Sequence, residues 1–272
     1  MSNLLAVLSS LTWGVSDYVG GVTSRRVAPM VVVLWSQMVG LVVAIAGGFL
    51  FGGTIDSTSA LWGAAAGLGG GVGLAALYHG LATGRMAIVA PTASLIGAGL
   101  PVVVGLSLGE RPGPLAVGGI VVALPAIWLT SRTGSGPIGW RGLAPAVIAG
   151  VGFAAFFVFL DRTGAGAGLW PLVPARMASV GLMALVLGVG RRSMRADSGA
   201  VPGIVAAGAG DMVANMLFLS AVRLGLLSVV SVLSSLYPVG TVVLARVFGE
   251  DVSRSQWLGV GLSMVAVGLI AA

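Results

Sequence analysis

Cysteine is absent from the 272 residues, lysine is absent too, and histidine occurs once. The first absence removes a disulfide framework, thiolate metal sites and a cysteine nucleophile together, and a single histidine makes no metal centre. Charge is scarce as well: Asp, Glu, Lys and Arg make up 8% of the chain against 57% apolar residues. Too few polar groups remain to solvate a globular surface, which excludes a soluble fold. The formal charge of +6 rests on arginines scattered between apolar runs, with no patch of the kind that holds nucleic acid. The first apolar run begins almost at Met1, without a basic segment before it or a small-residue cleavage site after it. It reads as a retained span, not a signal peptide.

What is present is a series of long apolar runs. A bilayer core of about 30 Å takes about 20 apolar residues per helix, and ten spans fit: Leu4 to Val22, Pro29 to Phe51, Ala60 to Ala82, Met86 to Leu108, Leu115 to Thr130, Gly142 to Leu160, Leu169 to Val189, Val201 to Ala221, Leu226 to Phe248 and Gln256 to Ala271. Runs this long and continuous predict helices, since a membrane β-barrel needs short alternating segments. The connections are short, so chain neighbours run antiparallel.

The chain also repeats itself. Residues 60–132 laid without a gap over residues 200–272 match at Ala60/Ala200, Gly63/Gly203, Leu77/Leu217, Ser94/Ser234, Gly109/Gly249, Glu110/Glu250 and further positions. Trp35-Ser36-Gln37-Met38 likewise meets Pro174-Ala175-Arg176-Met177. A duplicated unit follows: a first repeat over 1–133, a linker over 134–141 and a second repeat over 142–272. Five spans per unit is an odd number, so the second unit enters the membrane in the opposite direction. The predicted fold is therefore an all-α membrane protein of ten transmembrane helices in two inverted five-helix repeats. Inverted repeats place substrate near the midplane between the halves, where rocking gives alternating access.

These residues resemble the drug/metabolite transporter superfamily, EamA-type branch, over essentially the whole chain. The resemblance is carried by Trp13-Gly14-Val15-Ser16-Asp17, by Leu108-Gly109-Glu110-Arg111 with its counterpart Phe248-Gly249-Glu250-Asp251, by Ala76-Leu77-Tyr78, and by Ser234-Ser235-Leu236-Tyr237-Pro238. It implies movement of small metabolites, often amino acids or related compounds, through a central cavity. The first repeat has Ala98 where the second has Pro238, with Pro101 three residues later, so the half-sites need not be equivalent.

Polar residues inside the spans are the best local guide to function, because an ionisable group at a helix centre costs about 2.5–3.5 kcal/mol on insertion scales. Asp17 lies well inside the first span, and Trp13 shares its face. Asp211 and Asn215 are spaced by four on the eighth span and can point inward together; their repeat equivalents, Gly71 and Ala75, are small. Those glycines, with Gly63 and Gly67, either leave room for a ligand or let helices pack closely. Arg176 sits about two turns inside the seventh span and calls for a carboxylate, Asp17 or Asp211, either as a fixed ion pair or as one that opens to substrate. Gln37 is its neutral counterpart in the other repeat. His79, beside Tyr78, can relay protons near physiological pH or sit as an interfacial residue. Trp35 and Tyr237 can stack on an aromatic substrate or pack, and Glu110 and Glu250 suit loop capping or paired gate contacts.

The expected activity is secondary active transport of a small, amino-acid-like metabolite by alternating access, with proton coupling through Asp17 and Asp211. The expected substrate contacts are Trp13, Asp17, Gln37, Tyr78, His79, Arg176, Asp211 and Asn215. The expected partners are the substrate, protons and the lipid bilayer of the cell membrane, with no metal, no cofactor and no enzyme activity. A channel or a lipid-modifying membrane enzyme is the alternative, although no clustered nucleophile, base or metal ligands are visible for the latter. Gly105-Leu106-Ser107-Leu108-Gly109 and Gly134-Ser135-Gly136-Pro137-Ile138-Gly139 fit the nucleophile-elbow and dinucleotide patterns without their strand–turn–helix context. Arginines gather in the loops after odd-numbered spans, which puts both termini outside by the positive-inside rule, whereas the resemblance implies cytoplasmic termini.

Overall fold

The computed structural model describes residues 1–83, 86–131, 143–190 and 194–272, with the backbone alone for residues 78, 80–83 and 86–88. All regular structure among the described residues is helical. The first repeat contains α1 (Ser2–Thr23), α2 (Pro29–Phe51), α3 (Ser57–Thr83), α4 (Met86–Ser107) and α5 (Pro114–Ser131). The second contains α6 (Leu143–Asp161), α7 (Leu172–Val189), α8 (Val201–Val222), α9 (Leu227–Ser234), α10 (Tyr237–Val247) and α11 (Arg254–Ala271). Helices prevail because lipid offers no partner for backbone N–H and C=O groups, which must pair within the segment.

Two expected spans differ in shape. The ninth is two helices, broken at Ser235-Leu236. Pro238 lies at the start of α10 and has no N–H to offer the carbonyl of Ser234, four residues earlier. The seventh starts at Leu172, because a short 3-10 turn at Ala165–Ala167 and the turn through Leu169–Pro171 precede it. Arg176 is therefore about one turn inside α7, not two. The linker expected over 134–141, with its Gly134 to Gly139 pattern, lies outside the described residues.

Among the described residues nine spans are long and apolar enough to cross a bilayer, with α9 and α10 together forming one of them. The tenth, α1, has 22 residues; its lower apolarity comes from Ser9, Ser10, Ser16 and Asp17, of which the serines are buried. The chain is a multi-pass integral membrane protein.

Residue contacts give the helix directions. Along α1 and α8, Ser9 Oγ donates to the Ala214 carbonyl (2.8 Å), Trp13 Nε1 to Asp211 Oδ1 (3.0 Å) and Ser16 Oγ to the Ala207 carbonyl (2.5 Å), and Thr23 meets Gly203. One number rises as the other falls, so the pair is antiparallel. The repeat-equivalent pair α3 and α6 is antiparallel too: Trp62 meets Phe159, and Gly69 and Gly73 face Gly152. Inversion itself shows where a helix meets its own counterpart. In α2 and α7, Gln37 contacts Arg176 and Ser179, while Val33 and Leu34 cluster with Met183 and Leu187. In α5 and α11, Gly119 meets Ala266 and Ile270, and Gly259 meets Thr130. Both counterpart pairs run antiparallel, so the second repeat is threaded oppositely to the first.

Small residues make these crossings close. A Cβ on Gly67 would collide with the Ala175 carbonyl, and one on Gly63 with the Pro171 carbonyl. Packing, not ligand room, accounts for this glycine row. Both chain ends lie on one face of the bundle, where Asn3 Nδ2 donates to the Ile270 carbonyl (3.1 Å). On that termini face Asp56 starts α3, its carboxylate accepting from the Ser59 N–H and hydroxyl (2.8 Å each); these bonds hold its pKa below the usual carboxyl value. On the opposite face Arg25 meets Glu250 (2.7 Å).

Candidate functional site

The helix crossings bring most of the expected residues to one place halfway along α1, α2 and α8. Arg176 from α7 is buried, with its side chain 8% exposed, and donates to Asp211 of α8 and to Gln37 of α2. Asp211 also accepts from Trp13 Nε1. Gln37 Oε1 accepts a second donor, the Ser179 hydroxyl (3.0 Å). Asn215, one turn from Asp211 on α8, donates through Nδ2 to the Asp211 carbonyl (2.6 Å). The arginine thus finds the carboxylate it needs in Asp211, and its repeat equivalent Gln37 completes the shell. Planar guanidinium geometry suits two acceptors at once.

Aromatic side chains wall this cluster. Trp13 packs on Phe157 and Phe218 at ring distances of 5.8 and 6.0 Å, and those two stack at 4.4 Å. Sequence reasoning passed over Phe157, Phe218 and Ser179, since a phenylalanine or serine inside an apolar run carries no signal of its own. Ser179 alone had a cue, being one turn beyond Arg176.

Asp17 occupies an internal space. Leu4, Leu8, Leu11 and Val15, three or four apart, form the exposed apolar stripe of α1. Asp17 follows Val15 by two residues, about 200° around the helix, yet it too is exposed. An exposed residue on the inward face lines a cavity. It lies within electrostatic reach of Asp211 and Tyr237, and the Tyr237 hydroxyl meets that of Ser94 (3.3 Å). One turn on from Asp17, a Cβ on Gly21 would meet nothing within 4 Å, so open space continues toward the Arg25 face. In the other direction α1 is sealed: a Cβ on Gly14 would stand 2.7 Å from the Tyr237 carbonyl and 2.9 Å from Gly240 Cα.

The remaining expected residues lie apart from this cluster or outside description. His79 is exposed in a separate groove of about 520 Å³ between α3, α6 and α7, with Val72, Ala76, Ile148 and Leu182. The Tyr78 side chain lies outside the described residues. Gly71 does not widen the site, because Leu182 and Ser179 of α7 fill the space beside it. Trp35 is exposed, with Nε1 bonded to the Met194 carbonyl (2.8 Å).

Glu110 and Glu250 follow the fourth span of each repeat, α4 in the first and α9 with α10 in the second. In both copies the preceding glycine takes a positive φ, 94° at Gly109 and 85° at Gly249. The glutamate N–H reaches back to a carbonyl of the last turn, Gly105 (3.0 Å) or Ala245 (2.8 Å), which closes a Schellman turn. Glu110 then accepts from the Leu227 and Ser228 N–H groups at the start of α9 (2.6 and 2.9 Å). It caps a helix of the other repeat. Among the described residues no group of His, Cys, Asp and Glu is placed to hold a metal ion.

Comparison with known proteins agrees with this architecture. The model of the EamA-like transporter family matches residues 1–132 and, a second time, residues 140–272. No curated protein matches. Among the 27 matching solved chains, one crystal structure covers 98% of this chain and 95% of its own with a TM-score of 0.82. At 20% identity that likeness shows the fold alone.

Proposed function

Because the chain belongs to the EamA-like transporter family, we propose that it is a secondary active transporter that moves a small, amino-acid-like metabolite by alternating access. The single observation that carries this reading is the Arg176–Asp211–Gln37–Trp13 cluster, drawn from four helices of both repeats. A polar group inside a membrane bundle is costly and marks a substrate or ion path. Substrate enters beside Asp17 and is contacted by Trp13, Gln37, Arg176 and Asn215. The sealed contact of α1 on α10 and the break between α9 and α10 are the elements on which rocking of the repeats would act.

Proton coupling is assigned to Asp17 and Asp211. A proton on either carboxylate changes the charge facing Arg176 and Tyr237, and so biases the inward-open and outward-open states differently. The test is uptake of labelled amino acids and amines into proteoliposomes under an imposed pH gradient. Asp17→Asn and Asp211→Asn should each abolish gradient-driven accumulation. Transport as fast as wild type with the same pH dependence in both variants would overturn the coupling.

A further inference from the structure

We infer that the recognised part of the substrate is a cation, an ammonium group that pairs with Asp17. The inference rests on the carrier reading above and narrows its substrate class. It follows from charge accounting at the midplane. Among the described residues the ionisable groups there are two carboxyl groups, Asp17 and Asp211, one guanidinium, Arg176, and the Tyr237 phenol. Arg176 is already held by Asp211 and Gln37 and is buried. A substrate carboxylate would have to displace Asp211 to reach it.

Asp17 is in the opposite condition. Among the described residues no hydrogen bond or ion pair engages its carboxylate, although it faces the cavity. The groups around it are Asp211 with its Arg176 on α8 and α7, and Tyr237 on α10 with Ser94 of α4 bonded to it. None of these adds a free positive charge, so one carboxyl group in the cavity lacks a partner of opposite charge. The unmet demand at Asp17 is for hydrogen-bond donors and positive charge, which an ammonium supplies together. Trp13 and Tyr237 add aromatic surface of the kind a cation favours.

The test compares three probes on one skeleton, benzylamine, benzyl alcohol and benzoate, by thermal unfolding of the purified full chain. The expected result is a rise in melting temperature with benzylammonium that exceeds both analogues, lost in Asp17→Asn and kept in Asp17→Glu. The apparent affinity for benzylammonium should fall at least about tenfold in Asp17→Asn. Equal responses to all three probes, absent responses included, overturn the inference, as does benzylammonium binding that Asp17→Asn leaves unchanged. A preference for benzoate overturns it while leaving the carrier reading intact, with Arg176 as the anchor. Benzylammonium bound at Asp17 without any counterflow in proteoliposomes upholds the cation site and overturns the carrier reading instead.

Discussion

The two repeats share a scaffold and differ in chemistry. Gly109-Glu110 and Gly249-Glu250 close the same Schellman turn with the same left-handed glycine. α1 on α8 repeats α6 on α3, with the same antiparallel sense. The polar cluster does not repeat. Where the second repeat has Asp211 and Arg176, the first has Gly71, buried under Leu182, and Gln37. Backbone geometry is constrained by close crossings that any side chain would break, whereas the cavity needs its charges once. Duplication therefore kept what packs and let the polar cluster diverge.

Breaking the divergent part should cost most. Asp211→Ala leaves Arg176 unpaired, and because Asp211 lines the cavity we expect the low end for such a loss, roughly 3 kcal/mol, with transport abolished. The equivalent change Gly71→Ala meets only the mobile tip of Leu182 at 2.9 Å and should cost about 1 kcal/mol or less. Unfolding in detergent measures both, and equal costs would erase the comparison.

The shared scaffold gives the next test. Gly67 abuts the Ala175 carbonyl on α7, and Gly208 abuts the Ser36 carbonyl on α2. Each alanine variant must push backbone apart, so we expect similar losses of about 1–3 kcal/mol. A large inequality would mean that the crossings are not equivalent.

A finer test separates turn from partner. Gly109→Ala and Gly249→Ala both force alanine to positive φ, with an expected loss of about 1 kcal/mol each. Glu110→Gln and Glu250→Gln should differ. Glu110 caps two N–H groups across the repeat boundary, while the Arg25–Glu250 pair is exposed, 67% and 40%, and should fade with added salt.

The smallest effect concerns Asp56, whose lowered pKa links stability to pH. The bonds from Ser59 favour the charged form in the fold, so their contribution is present above the unfolded value of 3.8. It is lost as pH falls through the lower folded value. Asp56→Asn should show a smaller acid-induced fall in melting temperature than wild type over that window; identical acid profiles would contradict it.

Much of this was legible in the residues. Span length, the odd number of spans per copy and the Gly-Glu pair announce the inverted architecture, because membrane thickness and the left-handed turn each leave a sequence mark. Asp17, Arg176, Asp211 and Asn215 stood out because polar groups are rare in apolar helices. The partner of Arg176 was not readable, since Asp17 and Asp211 both lie at suitable depth and helix rotation alone decides between them. Nor was the burial of Gly71 by Leu182, or the exact break in the ninth span, where Pro238 interrupts a run that Pro91 and Pro101 of α4 leave continuous.

A chain without cysteine allows one direct measurement of where Asp17 points. Asp17→Cys and Val15→Cys are introduced singly, and each is exposed in membrane vesicles to a charged methanethiosulfonate. A water-filled hollow between oppositely threaded repeats requires Asp17→Cys to react from the Arg25 face and Val15→Cys to stay unmodified in lipid. Labelling of Val15→Cys with an inert Asp17→Cys would contradict it.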